Sequence, residues 1–242
     1  MQAIILAAGE SRRLRPLTDN TPKCLLDING KNLLRRTIDN ILSNGIKDFI
    51  FVTGYRENMI KDFISENFSN LNPVFLTNPD YMNNNNSYSL WMTKNFIKDD
   101  IFLLDSDILF DKNIIKKLIN SGYDNCLAVH VTKNLDEEQI KVTVDDKNRI
   151  TGIGKEVEIR KAIGESIGIE KFSKNFLREL FVILDRKIVK EKSINEFYEA
   201  SFQEIINKNE EKSSIFSVDI SEYTCMEIDT VDDYRNAQNL NI

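Results

Sequence analysis

The chain has 242 residues, 41% of them hydrophobic and 29% charged, with a formal net charge of −6. That balance is ordinary for a globular protein with a sizeable core, and its acidic sign argues against a general nucleic-acid binder. No apolar run approaches the roughly 18–20 residues of a membrane span, the opening MQAIILAAG is too short and lacks the basic stretch of a signal peptide, and Cys24, Cys126 and Cys225 form no CxxC pair, so a cytoplasmic protein without membrane contact is expected.

Short β-type runs alternate with helical patterns from the start. AIIL (3–6) reads as a buried strand. KNLLRRTIDNILSNG (31–45) reads as a helix, with Leu34, Ile38, Ile41 and Leu42 on one face and Gly45 at the C-terminal cap position. DFIFVTG (48–54) is the next strand, ENMIKDFISENF (57–68) a helix, NPVFLTN (72–78) a strand and SYSLWMTKNF (87–96) a helix. DIFLLDSD (100–107) is then a strand and DKNIIKKLINSG (111–122) a helix. Four β-then-α units predict a parallel sheet with helices on both faces, and ligands of such sheets bind beyond the carboxyl ends of the strands.

The second half is less regular. In CLAVHV (126–131), Cys126, Ala128 and His130 share one face of a strand. His130, the only histidine, reads as a core or edge residue, which excludes two-histidine and His–Ser chemistries. Residues 139–155 alternate around DDKN as a hairpin. AIGESIGIEKFS (162–173) enters a helix over 173–185, and a second helix covers about 195–208. Strands near 214–219 and 224–228 and a helix from about 230 complete the chain.

The chemistry-bearing residues cluster at the strand exits. After the first strand comes LAAGESRRLRPLTDNTPK (6–23). It has neither the G-x-G-x-x-G of a dinucleotide fold nor the G-K-[ST] of a Walker loop. It offers a small-residue turn, Ala7-Ala8-Gly9, followed by Arg12, Arg13, Arg15 and Lys23. Such a loop is either a solvated basic surface or a grip for a polyanion such as a triphosphate. Asp105 and Asp107, two apart at a strand end, point to the same side. They are either a turn pair or ligands for Mg2+, which usually takes one or two carboxylates beside nucleotide phosphates. Asp229, before the last helical pattern, has a helix N-cap as its plain reading.

The 6–23 stretch resembles the signature of the nucleotidyltransferase superfamily of sugar-phosphate pyrophosphorylases and small-alcohol cytidylyltransferases, L-A-A-G-x-G-[ST]-R-L-R-P-L-T followed by P-K. Two positions depart from it: Ser11 stands where the second glycine belongs, and Arg12 replaces Ser or Thr. The resemblance implies an α/β fold, Rossmann-like, with a mixed, mostly parallel sheet, helices on both faces and a small substrate-side lobe: the nucleotide-diphospho-sugar transferase fold. It implies one domain over 1–242, with 1–130 the nucleotide-binding half and 131–242 the acceptor-binding half. Leu6, Ala7, Ala8, Gly9, Glu10 and Arg13 would then hold the nucleoside triphosphate, and Lys23 would contact phosphates in the reaction zone. Asp107 and Asp229 would be the Mg2+ ligands, with Asp105 in support.

NNNNSYSLWMTK resembles the family's base-reading helix start, here Asn85, Asn86 and Ser87, and NNxYSL is nearer to choline-phosphate cytidylyltransferases than to sugar enzymes. Gly54 and Tyr55 occupy the adjacent exit as in that group. Lys155 matches a lysine that contacts the acceptor phosphate in sugar members, a surface lysine being the alternative. The acceptor pocket is expected from Glu165, Trp91 and the stretch FYEASFQE (197–204), Glu199 and Phe202 within it, with Gln203 where choline enzymes carry an acid. That set suits a primary amine, such as 2-aminoethylphosphonate or phosphoethanolamine, at least as well as choline. The implied function is a cytidylyltransferase joining CMP from CTP to a small phospho- or phosphono-alcohol or amine with release of pyrophosphate, catalysed by Arg13, Lys23 and Asp107. The alternatives are a sugar-1-phosphate or inositol-phosphate nucleotidyltransferase and a non-catalytic nucleotide sensor. The implied partners are CTP and the acceptor, with a monomer or homodimer.

Overall fold

The computed structural model describes residues 1–240. The chain opens with β1 (Gln2–Ala7), buried along its length, and after a long loop makes a small hairpin of β2 (Asp27–Ile28) and β3 (Lys31–Asn32). α1 (Leu33–Ser43) follows, started by Asn32, whose side chain accepts the Arg35 backbone N–H. Then come β4 (Asp48–Thr53), α2 (Glu57–Asn67), β5 (Val74–Thr77), α3 (Asn86–Met92), β6 (Ile101–Asp105), β7 (Ile108–Phe110) and α4 (Asn113–Asn120). The second half contributes β8 (Cys126–Val131), β9 (Lys141–Val144), β10 (Ile150–Gly154), β11 (Gly164–Phe172), α5 (Lys174–Asp185), α6 (Glu199–Lys208), β12 (Phe216–Asp219), β13 (Cys225–Glu227) and α7 (Val231–Ala237).

The described residues form one nine-stranded sheet, ordered β10-β9-β11-β6-β1-β4-β5, with β8 on β11 and β12 on β8. The β6-β1-β4-β5 core is parallel, as the β-then-α rhythm predicts, while β11 runs antiparallel to both β6 and β8. Alternation along each strand builds two layers. Ala3, Ile5, Phe49, Phe51 and Phe102 pack with α1, α2 and α4 on one face; Ile4, Leu6, Ile50, Val52 and Leu103 pack with α3, α5 and α6 on the other. A third cluster of Leu14, Leu26, Ile28, Leu33, Leu109 and Ile228 ties the opening loop to the C-terminal segment. Among the described residues no helix is long and apolar enough to cross a membrane.

Three departures from the sequence reading shape the site. Residues 108–110 are a separate strand, β7, which pairs with β13 in a two-stranded ribbon outside the main sheet. α6 starts at Glu199, so 195–198 is an irregular approach that brings Tyr198 against α3 and leaves Phe197 beside Lys155. β11 is a nine-residue strand set at the sheet's centre. Its C-terminal half pairs with β6 and its N-terminal half with β9, and the register shifts between Ser166 and Glu170. Gly168 sits at that bulge with φ +67, a backbone conformation glycine adopts without penalty. The sheet therefore forks where β6 ends at Asp105, and the fork opens a cleft.

Candidate active site

The cleft, about 330 Å³, lies beyond the carboxyl ends of β1 and β6 and is lined from both halves of the chain. That volume falls in the range of small-ligand sites. A smaller hollow of about 90 Å³ continues it beneath the opening loop. Leu6, Ala8 and Gly9 form the floor of the cleft, and Ala7 and Lys23 line the hollow. A Cβ on Gly9 would meet nothing within 4 Å, so the glycine faces open space where a ligand could lie against the backbone.

The loop path follows from its two departures from the family spelling. Ser11 takes a left-handed conformation, φ 52 and ψ 54, with no side-chain cap, where a glycine would be unstrained. The following turn sends Arg12 and Arg15 outward onto Glu10, with Arg12 Nε 2.7 Å from Glu10 Oε2. Arg12, and with it Arg15, holds the Glu10 carboxyl below its usual range. Glu10 is thus off the cleft wall, paired with two of the loop's cations, and Arg13 turns into the cleft.

Arg13 begins a chain of charges. Its guanidinium lies 2.7 Å from Asp229 Oδ2, Lys23 Nζ is 2.7 Å from Asp229 Oδ1, and the same ammonium is 2.8 Å from Asp107 Oδ2. Asp229 reaches Asp107 because β13 pairs with β7 and the Ile228 N–H donates to the Asp107 carbonyl at 3.0 Å. Asp229 is not the cap of α7. Thr230 is, through a reciprocal pairing with Asp233, which leaves the Asp229 carboxylate to the cleft. Burial raises the Asp229 pKa, but Lys23 and Arg13 outweigh it and hold the carboxyl below its ordinary value. Burial likewise works against the Lys23 ammonium, and Asp107 and Asp229 overcome it, so its pKa is raised.

Beside this chain stands an excess of acid. Glu227, exposed at the end of β13, lines the cleft two residues before Asp229, and desolvation at the cleft wall with the neighbouring Asp107 and Asp229 raises its carboxyl. Asp105 also lines it, accepting from the Tyr198 hydroxyl at 3.0 Å; burial, then Asp107 and Glu199, raises its carboxyl well above the usual range. Glu170 lies fully buried behind, 3.5 Å from the same hydroxyl, and is raised by burial and by Asp105. Among the described residues no group of three or more His, Cys, Asp or Glu side chains is arranged to hold a metal ion unaided. Asp107 and Asp229 nevertheless converge on one positive charge, the Lys23 ammonium. A pair of carboxylates so directed could hold an Mg2+ whose other ligands are phosphate oxygens.

At one end of the cleft the asparagines interlock. Asn85 caps α3 by accepting the Asn86 N–H, and Asn86 Oδ1 accepts the Tyr198 N–H at 2.9 Å. Asn84 exchanges hydrogen bonds with buried Asn78, which also donates to Ser89. Asn84, Asn85, Asn86, Asn78 and Ser89 all face the cleft, whereas Ser87 is buried off its wall. Gly54 and Tyr55 do not line it but hold its floor. The Tyr55 N–H donates to the Ala8 carbonyl at 3.0 Å, and its hydroxyl lies 2.8 and 2.7 Å from the carbonyls of Thr18 and Asp19. A Cβ on Gly54 would stand 2.7 Å from that Ala8 oxygen.

The other end differs most from expectation. Lys155 and Glu199 are on the wall. Glu165 is not: it faces His130, its cross-strand partner, at 3.5 Å. Trp91 turns its indole N–H to Asp185 at 2.9 Å, across the α3–α5 interface. Phe202 is fully buried, packed on Phe172, Phe176 and Tyr198. Gln203 fixes the hairpin by accepting the Ile153 N–H. In their places stand Phe197, the first residue of the expected 197–204 stretch, and Glu138, Ser166 and Gly168, which sequence reasoning missed. The signal for Ser166 and Gly168 was the small or polar residue at every second position of GESIGIEKF, and Glu227 alternates with Ile228 to share a side with Asp229. Glu138 sits in a loop, with no periodicity to mark it.

A family model described as nucleotidyl transferase matches residues 2–154. The chain is 30% identical over 98% of its length to the bifunctional IPC transferase and DIPP synthase of Aquifex aeolicus, of which it spans half. It is also 30% identical, over 86% of its length and 89% of the relative, to the CTP:phosphoglutamine cytidylyltransferase of Campylobacter jejuni. Among solved structures, the CTP:phosphocholine cytidylyltransferase of Streptococcus pneumoniae superposes with a TM-score of 0.84 over 98% of this chain and 97% of that one, at 24% identity.

Proposed function

Because the chain belongs to the nucleotidyl transferase family, we propose that it is a CTP-dependent cytidylyltransferase. Its acceptor is a small phosphorylated or phosphonate alcohol or amine, of the 2-aminoethylphosphonate or phosphocholine type, and its second product is pyrophosphate. The observation that carries this reading is the convergence of Arg13, Lys23, Asp107 and Asp229 at the strand exit beside Gly9. Similarity to a CTP-using relative supports the choice of nucleotide.

An oxygen of the acceptor's phosphate or phosphonate attacks the α-phosphorus of CTP. The new P–O bond forms as the bond to the bridging oxygen breaks, and pyrophosphate leaves with the electron pair. The attacking group is already an anion, so no proton must be removed and no general base is needed. Catalysis is then positioning and charge neutralisation, which accords with a site without histidine. Arg13 and Lys23 meet the charge that develops on the phosphates, and the turn from Leu6 to Gly9 lets them lie against backbone N–H groups. Asp107 and Asp229 would hold Mg2+, which when bound would neutralise phosphate charge. Lys155 takes the acceptor's anion, and the Asn84–Asn86 segment reads the base.

The test is pyrophosphate release with CTP, UTP, GTP, ATP and dTTP in turn, each against phosphocholine, phosphoethanolamine, 2-aminoethylphosphonate and glucose-1-phosphate. Turnover that requires CTP and a non-sugar acceptor is expected. Preference for UTP or dTTP with glucose-1-phosphate would replace this reading with sugar nucleotide synthesis.

A further inference from the structure

Two buried polar atoms on the cleft wall have no hydrogen-bond partner: Glu199 Oε2 and Ser166 Oγ. Each residue is only 5% exposed. A carboxylate oxygen and a hydroxyl buried in this way are costly unless something that enters the cleft supplies donors. Lys155 lies on the same wall but is engaged elsewhere, 2.9 Å from Glu138 and 5.3 Å over the Phe197 ring. The cleft thus presents a cation and an unmatched acid that do not pair with each other.

We infer that the acceptor is a zwitterion bearing a primary ammonium, which Glu199 and Ser166 receive while Lys155 takes its phosphate or phosphonate. The inference rests on the cytidylyltransferase reading and narrows its acceptor. A primary ammonium brings three N–H donors, enough for both orphaned atoms. A quaternary ammonium brings none and is recognised by aromatic faces. At this end of the cleft, among the described residues, a single such face lines the wall, Phe197. Phe202 is in the core, Trp91 is turned to Asp185, Tyr198 has its hydroxyl on Asp105, and the Phe197 ring lies beneath Lys155. Tyr81 belongs to the opposite end of the cleft, beside Gly54.

The experiment compares 2-aminoethylphosphonate, its N-trimethyl derivative and propylphosphonate, which has a methyl group in place of the ammonium. Each is measured with CTP and Mg2+ for kcat and KM, and by calorimetry for equilibrium binding to the full chain. The ammonium compound is expected to be preferred over both others by about 10- to 100-fold, chiefly through KM, as suits hydrogen bonds to a charged group. In Glu199→Gln the preference should shrink to less than about threefold, and in Ser166→Ala it should shrink to a smaller extent. Selectivity is a ratio within one variant, so partial loss of folded protein does not alter it. Equal use or binding of propylphosphonate, or preference for the trimethyl compound, overturns the inference. If no acceptor yields pyrophosphate yet binding keeps a Glu199-dependent ammonium preference, the reaction assignment falls and the ammonium site stands.

Discussion

Asp107 and Lys23 carry the sharpest single-residue expectations. Asp107→Asn keeps the volume and removes one of the two charges around Lys23. It should fold, with turnover lower by at least about 10²-fold, the scale seen when one charge-stabilising group is lost from a reaction zone. Unchanged pyrophosphate release would remove Asp107 from the mechanism. The opening loop divides its cations differently. Arg12 is exposed and paired with Glu10, so Arg12→Thr should leave the KM for CTP within twofold, whereas Arg13→Ala should raise it by about tenfold or more. Ser11→Gly should raise stability by about 1 kcal/mol, since the left-handed conformation penalises any residue with a Cβ. No gain in thermal unfolding would show that the loop adapts instead. The motif of 6–23 was legible because it is contiguous; which arginine turns inward was not, because that depends on how the Ser11 backbone bends.

At the scale of elements, β11 decides the site. Its periodicity marks a strand, but nothing in GESIGIEKF says that it slots between β6 and β8 or that it bends at Gly168. A Cβ at Gly168 would stand 2.9 Å from Asp105 Oδ2 and 3.2 Å from Ile108 Cδ1, in a backbone conformation that already disfavours alanine. Gly168→Ala should therefore cost about 1–3 kcal/mol of stability and displace the Asp105 carboxylate. Turnover would then fall further than the loss of folded protein explains. Activity per folded molecule equal to wild type would contradict this. The ribbon of β7 and β13 is the second such element. It sets Asp229 beside Asp107 through residue pairs 115 to 119 positions apart, and the sequence reading held no strand at 108–110 to make them.

Over the whole molecule, acids outnumber cations around one cleft, and stability without ligand should depend on pH in a stated direction. Glu199, 5% exposed, is raised by burial from 4.5 to about 7. Between pH 4.5 and 7 the folded chain therefore holds a proton that the unfolded chain releases, so stability falls as pH rises through that window. The Glu199 shift alone corresponds to about 3 kcal/mol. The unfolding temperature should decline from pH 5 to pH 8, and Glu199→Gln should flatten the decline. A profile that rises over that range would contradict the burial of Glu199. By itself the sequence determined the alternation of strands and helices, the two-faced sheet and the triphosphate-type loop, because a period of 2 or 3.6 and a contiguous motif are written in neighbouring residues. Only the tertiary structure decided which acids meet. It placed Asp229 on Lys23, Glu199 and Ser166 in the cleft, and Glu165, Trp91 and Phe202 away from it. Strand order, register and the facing of a side chain at a bulge are fixed by long-range packing, and local sequence spacing does not contain them.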